Sequence, residues 1–131
     1  MPQAKVIPVK HEAKDGTTFR EVLFTGEKSQ LVIMSLRPGE DIGEEVHGDG
    51  DQMLYAVKGE GVAVIDGVEQ KLESGAMFCV PKGTRHNVKN TGDEPMKLFT
   101  VYAPPQHAPG TVHATKADAS KAEKKKEPAI A

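Results

Sequence analysis

Tryptophan is absent from this sequence, and cysteine occurs once, as Cys79. A lone thiol excludes an intramolecular disulfide and suits a reducing compartment. Aromatic residues make up only 5% of the chain, which offers little for stacking a flat aromatic substrate. A dominant charge is missing too. Seventeen Lys and Arg against 19 Asp and Glu leave a formal net charge of -2. That balance gives no reason to expect a nucleic-acid or membrane-surface partner, since both reward a basic excess. No apolar run approaches the roughly 20 residues of a membrane span, and the opening "MPQAKVIPVKHEAKDGTTF" lacks the apolar segment of a secretory signal. A cytoplasmic protein is the expectation.

What is present suffices for one domain: 131 residues, 37% of them hydrophobic, can close a compact core if the tails stay outside it. Residues 1–18 are polar with two prolines and read as an arm that is at most partly extended. From Phe19 to Tyr102 short apolar and β-branched runs recur ("FREVLF", "QLVIMSL", "QMLYAVKG", "GVAVID", "AMFCVP", "MKLFTVY"), separated by stretches rich in Gly, Pro, Asp and Asn. Strands of this length and spacing indicate an all-β sandwich or barrel over residues 19–110. "IDGVE" is the clearest hairpin, because Asp-Gly tolerates the positive φ angles of a tight primed turn. Residues 111–131, rich in Ala, Lys and Glu, read as a charged tail, mostly solvated, that can form a short helix but cannot bury a face.

Chemistry concentrates in "EEVHGDGDQ", residues 44–52. In a strand, residues two apart share a face, so Glu45 and His47 point the same way. "GDGD" supplies a turn, and Gln52 heads the returning strand beside His47. A carboxylate, an imidazole and an amide oxygen make a mixed ligand set for a first-row divalent ion. His86 is the candidate for the fourth ligand, delivered by the bend at Pro81 and Gly83 to the start of a new strand.

These positions resemble the two motifs of the cupin family. The first is Gly39, Glu45, His47, Gln52 and Gly59; the second is Gly75, Pro81, Gly83, His86 and Asn90. Glu45 stands where the family usually has its first histidine, and Gln52 where it usually has glutamate. Glutamine there also occurs in small cupins that act on sugar acids. The resemblance implies a jelly-roll barrel (a double-stranded β-helix) and one divalent transition metal, drawn from Mn, Fe, Ni, Zn and Co, held by Glu45, His47, Gln52 and His86. It also implies a small-molecule substrate and a homodimer formed through outward strand faces, where Met53, Tyr55 and Val57 lie.

Several residues have plainer readings. Glu45 is a ligand, a partner bracing a ligand, a base acting on substrate, or an exposed turn carboxylate. Asp49 and Asp51 read as turn residues. Arg85 reads as half of an ion pair, Cys79 as a small buried thiol, and His107 and His113 as surface or mobile. Tyr102 can supply a phenol to the cavity, whereas Tyr55 has the parity of an outward residue. The preferred activity is non-oxidative isomerase, tautomerase or lyase chemistry on a sugar, sugar acid or oxo-acid. An iron-dependent dioxygenase and a non-catalytic metabolite-binding or sensing module are the alternatives.

Overall fold

The computed structural model describes residues 2–122. Its strands are β1 (Arg20–Thr25), β2 (Gln30–Leu36), β3 (Asp51–Lys58), β4 (Glu60–Ile65), β5 (Val68–Glu73), β6 (Met77–Val80), β7 (His86–Asn90), β8 (Met96–Ala103) and β9 (Val112–His113). They form a six-stranded sheet in the order β6-β3-β8-β2-β1-β9 and a three-stranded sheet in the order β5-β4-β7. All the strand pairs are antiparallel. The all-β barrel expected from the strand pattern is what the chain forms.

Period-two alternation decides what lies inside. Val32, Met34 and Leu36 of β2 are buried, as are Leu54 and Ala56 of β3, Phe78 and Val80 of β6, and Met96, Leu98 and Tyr102 of β8. Ala63, Leu72 and Val88 close the core from the smaller sheet. The β4–β5 hairpin turns at Asp66 (φ 49°) and Gly67 (φ 84°), with Ile65 paired to Val68, as the Asp-Gly pair anticipates. β5 itself is polar and mostly exposed, which hides it from a reading based on apolar runs.

Both ends of the chain depart from the sequence reading. The arm contains a helix, α1 (Val9–Asp15), which packs on β2, β3 and β8. It buries Ala13, and Lys97 Nζ ties its C-terminal end down through the carbonyl of Gly16. A seven-residue helix with one buried side chain has no readable 3.6-residue pattern, and tertiary contact holds it in place of propensity. Residues 111–122 are likewise docked: β9 pairs with β1, Ala119 is buried in the core, and Lys116 bonds Asp41. The rest of the expected tail, 123–131, lies outside the described residues. Among the described residues no helix is long and apolar enough to cross a membrane.

Candidate metal centre

The stretch carrying Glu45 and His47 is irregular, which corrects the expectation of a strand paired with β3. It runs antiparallel to β7 instead, through isolated bridges between Asp41 and Lys89 and between Glu45 and His86. Glu45 N donates to His86 O at 2.8 Å, and His86 N donates to Glu45 O at 2.9 Å. Two residues that exchange both backbone bonds face the same side of a sheet, so this pairing sets the Glu45 carboxylate beside the His86 imidazole. Further along, Gly83 N donates to His47 O at 2.8 Å, fixing the histidine against the bend before β7. Asn87 completes the splint. Its Oδ1 accepts from Gly43 N at 2.9 Å where the regular bonding lapses, and its Nδ2 donates to Asp41 at 2.8 Å.

Glu45, His47 and His86 each bring one donor atom within 4.8 Å of the others. Gln52, from β3, joins them: its Oε1 lies 2.9 Å from His86 Nε2. All four residues singled out in the sequence therefore converge. Gln52 and His86 are buried, and Glu45 and His47 are half-buried.

The cluster's hydrogen bonds leave it short of one partner. Thr100 Oγ1 donates to Met53 O at 3.0 Å and accepts from Gln52 Nε2 at 3.0 Å, which turns the Gln52 carbonyl oxygen toward His86. His86 Nδ1 lies 2.8 Å from Thr84 O. Both ring nitrogens thus face carbonyl oxygens, and a neutral imidazole has only one N–H to give. Whichever tautomer forms, one contact sets a lone pair against a lone pair. His47 Nε2 is buried without a hydrogen-bond partner, its nearest ionic neighbour being Glu45 at 3.8 Å. Buried polar atoms without partners are costly. A cation shared by His47, His86, Gln52 and Glu45 relieves both defects, so the residues fit a divalent metal.

The surroundings are aromatic. The His47 and His86 rings lie 5.3 Å apart, Tyr102 stands edge-on to His47 at 5.5 Å, and Phe78 stands edge-on to His86 at 6.1 Å. Tyr102 therefore borders the site, while Tyr55 stacks on Phe99 on the outer face, as parity suggested. Arg85 pairs with Glu44 at 3.1 Å. Asp51 heads β3 rather than sitting in the turn, and accepts from Lys82 N at 3.0 Å in the bend before β7. Two further readings need correction. Cys79 is exposed, because Phe78 and Val80 take the inward positions of β6 and leave Cys79 opposite Met53 on the outer face. His107 is no free surface residue: its ring stands edge-on to Tyr102 at 5.3 Å. The Pro-rich flank concealed this, since the signal that fixes His107 is a buried glutamine, Gln30, far away in sequence. His113 is half-buried, with Nδ1 3.4 Å from Arg20 Nη1.

Residues 32–102 match the cupin domain family. The chain belongs to it. This cupin is 42% identical, over 93% of its length and 69% of the relative's, to the uncharacterized protein YrkC of Bacillus subtilis. It also superposes on a crystal structure of a Bacillus halodurans protein with a TM-score of 0.90, at 40% identity, covering 92% of this chain and 96% of that one. An oxalate-binding protein of Thermotoga maritima is 28% identical over 52% of this cupin and 56% of the relative.

Proposed function

We propose that this cupin is a metal-dependent enzyme acting without net oxidation on a small oxygen-rich substrate: a sugar, sugar acid or oxo-acid. The observation that carries the proposal is the unsatisfied donor cluster, in which His86 faces two acceptors and His47 Nε2 has none. Four protein donors leave one or two positions open on a five- or six-coordinate ion. A bound divalent ion supplies Lewis acidity to a substrate carbonyl held through two oxygens. The protein's part is orientation and proton handling. Thr84 and Thr100 fix the imidazole of His86 and the amide of Gln52. Glu45, half-buried and 3.8 Å from His47 Nε2, is a ligand or the base that moves a substrate proton. Phe78 and Tyr102 flank the pair of histidines and limit water.

Elemental analysis of protein purified without a metal-affinity tag, combined with a panel of sugar acids and oxo-acids, tests this reading. Near-stoichiometric divalent metal and turnover without oxygen uptake are the expected results. Oxygen consumption with a substrate would favour an iron-dependent dioxygenase instead. A second reading, a metal-dependent binding or sensing module, gains support from the name of the oxalate-binding relative. A ligand that binds tightly and is recovered unchanged would select it.

We further propose a homodimer formed through the outer face of the six-stranded sheet. The exposed Cys79 thiol suits a reducing compartment, which supports a cytoplasmic location.

A further inference from the structure

The outer face of the larger sheet holds a cavity of about 200 Å³ where four separate stretches of chain meet. Thr17 comes from the arm, Ser35 and Arg37 from the end of β2, Lys97 from the start of β8, and Thr115 and Lys116 from the C-terminal segment. Ser35 and Lys97 are direct partners in the β2–β8 ladder. Met96 and Leu98 are buried on either side of Lys97, so strand parity sends the lysine outward. The metal cluster lies toward the other end of this strand, beside Tyr102. The two sites are separate.

The wall of this cavity carries more hydrogen-bond donors than the protein's own acceptors use. Lys97 Nζ donates to the Gly16 carbonyl and to Ser35 Oγ, the latter at 3.0 Å. An ammonium has a third N–H to give, and both of these acceptors are neutral. Ser35 Oγ accepts from Lys97, and Thr115 Oγ1 accepts from Asp118 N at 3.1 Å, which leaves both hydroxyl protons to donate. The Arg37 guanidinium bonds nothing among the described residues. Lys116 is committed to Asp41, and the one carboxylate on the wall, Glu40, accepts from Arg37 N at 3.1 Å. Burial holds the Lys97 ammonium below its ordinary 10.5; the charge of Lys58 adds to this, and Asp15 offsets part of it. A half-buried cation whose direct acceptors are neutral is short of a counter-charge.

We propose that this cavity binds a phosphoryl group, free or carried by a small metabolite, through Lys97, Arg37 and the hydroxyls of Ser35 and Thr115. Donors that approach from several directions suit a tetrahedral anion with oxygens on all sides, and a planar carboxylate would use fewer of them. The volume is below the roughly 300–1,000 Å³ of sites for drug-sized ligands, so the ligand is small. Because the donors come from β2, β8 and the C-terminal segment, a bound anion also pins that segment to the barrel.

Calorimetric titration of the full chain with inorganic phosphate, glycerol 1-phosphate and acetate, at matched ionic strength and with metal content measured, tests this. Phosphate or its ester should bind saturably, one per chain. Tighter binding of the ester would identify a metabolite's phosphoryl group, and tighter binding of the ion would identify free phosphate. Acetate should bind roughly tenfold more weakly, carrying a single charge against nearly two. Arg37→Met, at an exposed side chain, should weaken phosphate roughly tenfold, the worth of one hydrogen bond to a charged group. Glu40→Gln should tighten it, since the amide keeps an acceptor for Arg37 N and removes the opposing charge. Lys97→Met should abolish binding; should that variant fail to fold, Arg37→Met and Glu40→Gln decide. His86→Ala should leave phosphate binding as it was. No saturable binding, acetate bound as tightly as phosphate, or an affinity unmoved in both Arg37→Met and Glu40→Gln overturns the proposal. Phosphate lost in His86→Ala but kept in Arg37→Met would sit on the metal, which overturns it too.

Discussion

At the scale of single residues, the cluster makes unequal demands on its members. His47→Ala and His86→Ala each delete an imidazole donor from a site with few ligands, so each should lower metal occupancy severely while the barrel stays folded. Gln52→Ala should cost less, because a neutral amide oxygen is a weak donor that water can replace. Glu45→Gln separates the roles left open for this carboxylate. Weakened metal binding identifies a ligand; retained metal with lost turnover identifies a base. Retention of both would remove Glu45 from the site. Thr100→Val is the subtler test. It leaves every donor in place but frees the Gln52 amide to rotate, because the hydroxyl that accepts from Nε2 is gone. Groups that orient metal ligands in this way are worth about 10–100-fold in metal affinity, and titration with a chromophoric chelator as competitor would read the loss. An unchanged affinity would mean that backbone position alone sets the Gln52 carbonyl.

At the scale of elements, the donor segment before β3 depends on splints rather than on a ladder. Asn87 stands in for a backbone acceptor at Gly43 and passes a bond to Asp41, which Lys116 reaches from the C-terminal segment. Burial acts to raise the Asp41 carboxyl, but the hydrogen bonds from Asn87 and Lys116, with the Lys116 charge, hold it below its ordinary 3.8. A depressed folded-state pKa contributes stability that is present above the unfolded value and lost as pH falls through the folded one. Lys116→Met should therefore destabilise the protein at neutral pH by roughly 0.2–1 kcal/mol, the pair being partly exposed. The gap between variant and wild type should close as pH drops below 3.8. Chemical unfolding at pH 7 and pH 3 checks this, and a constant gap would show that the Lys116 stem, not its charge, does the holding. Glu45, His47 and Gln52 were legible as candidates because they share one short stretch, and His86, 34 residues beyond Gln52, because a second motif carries it. Six apolar runs gave away six strands by alternation. The short α1, β9 and the place of His107 were not legible, because remote partners such as Gln30 and β1 decide them.

At the scale of the molecule, one face of the larger sheet is left with an apolar surface. Met53 and Met77 are 52% and 49% exposed, Cys79 lies across from Met53, and Tyr55 stacks on Phe99 beside them. No charged residue stands among these five. α1 takes part of the same sheet, packing on β2, β3 and β8 with Lys10, Lys14 and Lys58 near its rim, which leaves the end nearer β6 open. An apolar sheet face that the described residues leave uncovered is costly in water and prone to association. A two-fold pairing of this face with itself is the simplest closed solution, because it covers the patch on both copies and leaves no end to propagate. It would also brace β3, and through β3 the position of Gln52, from the side opposite the metal cluster. Sedimentation at micromolar concentration should therefore give a dimer of the 14.1 kDa chain. Met53→Glu should shift it to monomer, since the glutamate would be buried against its own symmetry mate. Wild-type protein that sediments as monomer throughout would refute the pairing. A Met53→Glu variant that remains dimeric would place the contact on another face, and the metal centre would then owe nothing to assembly through β3.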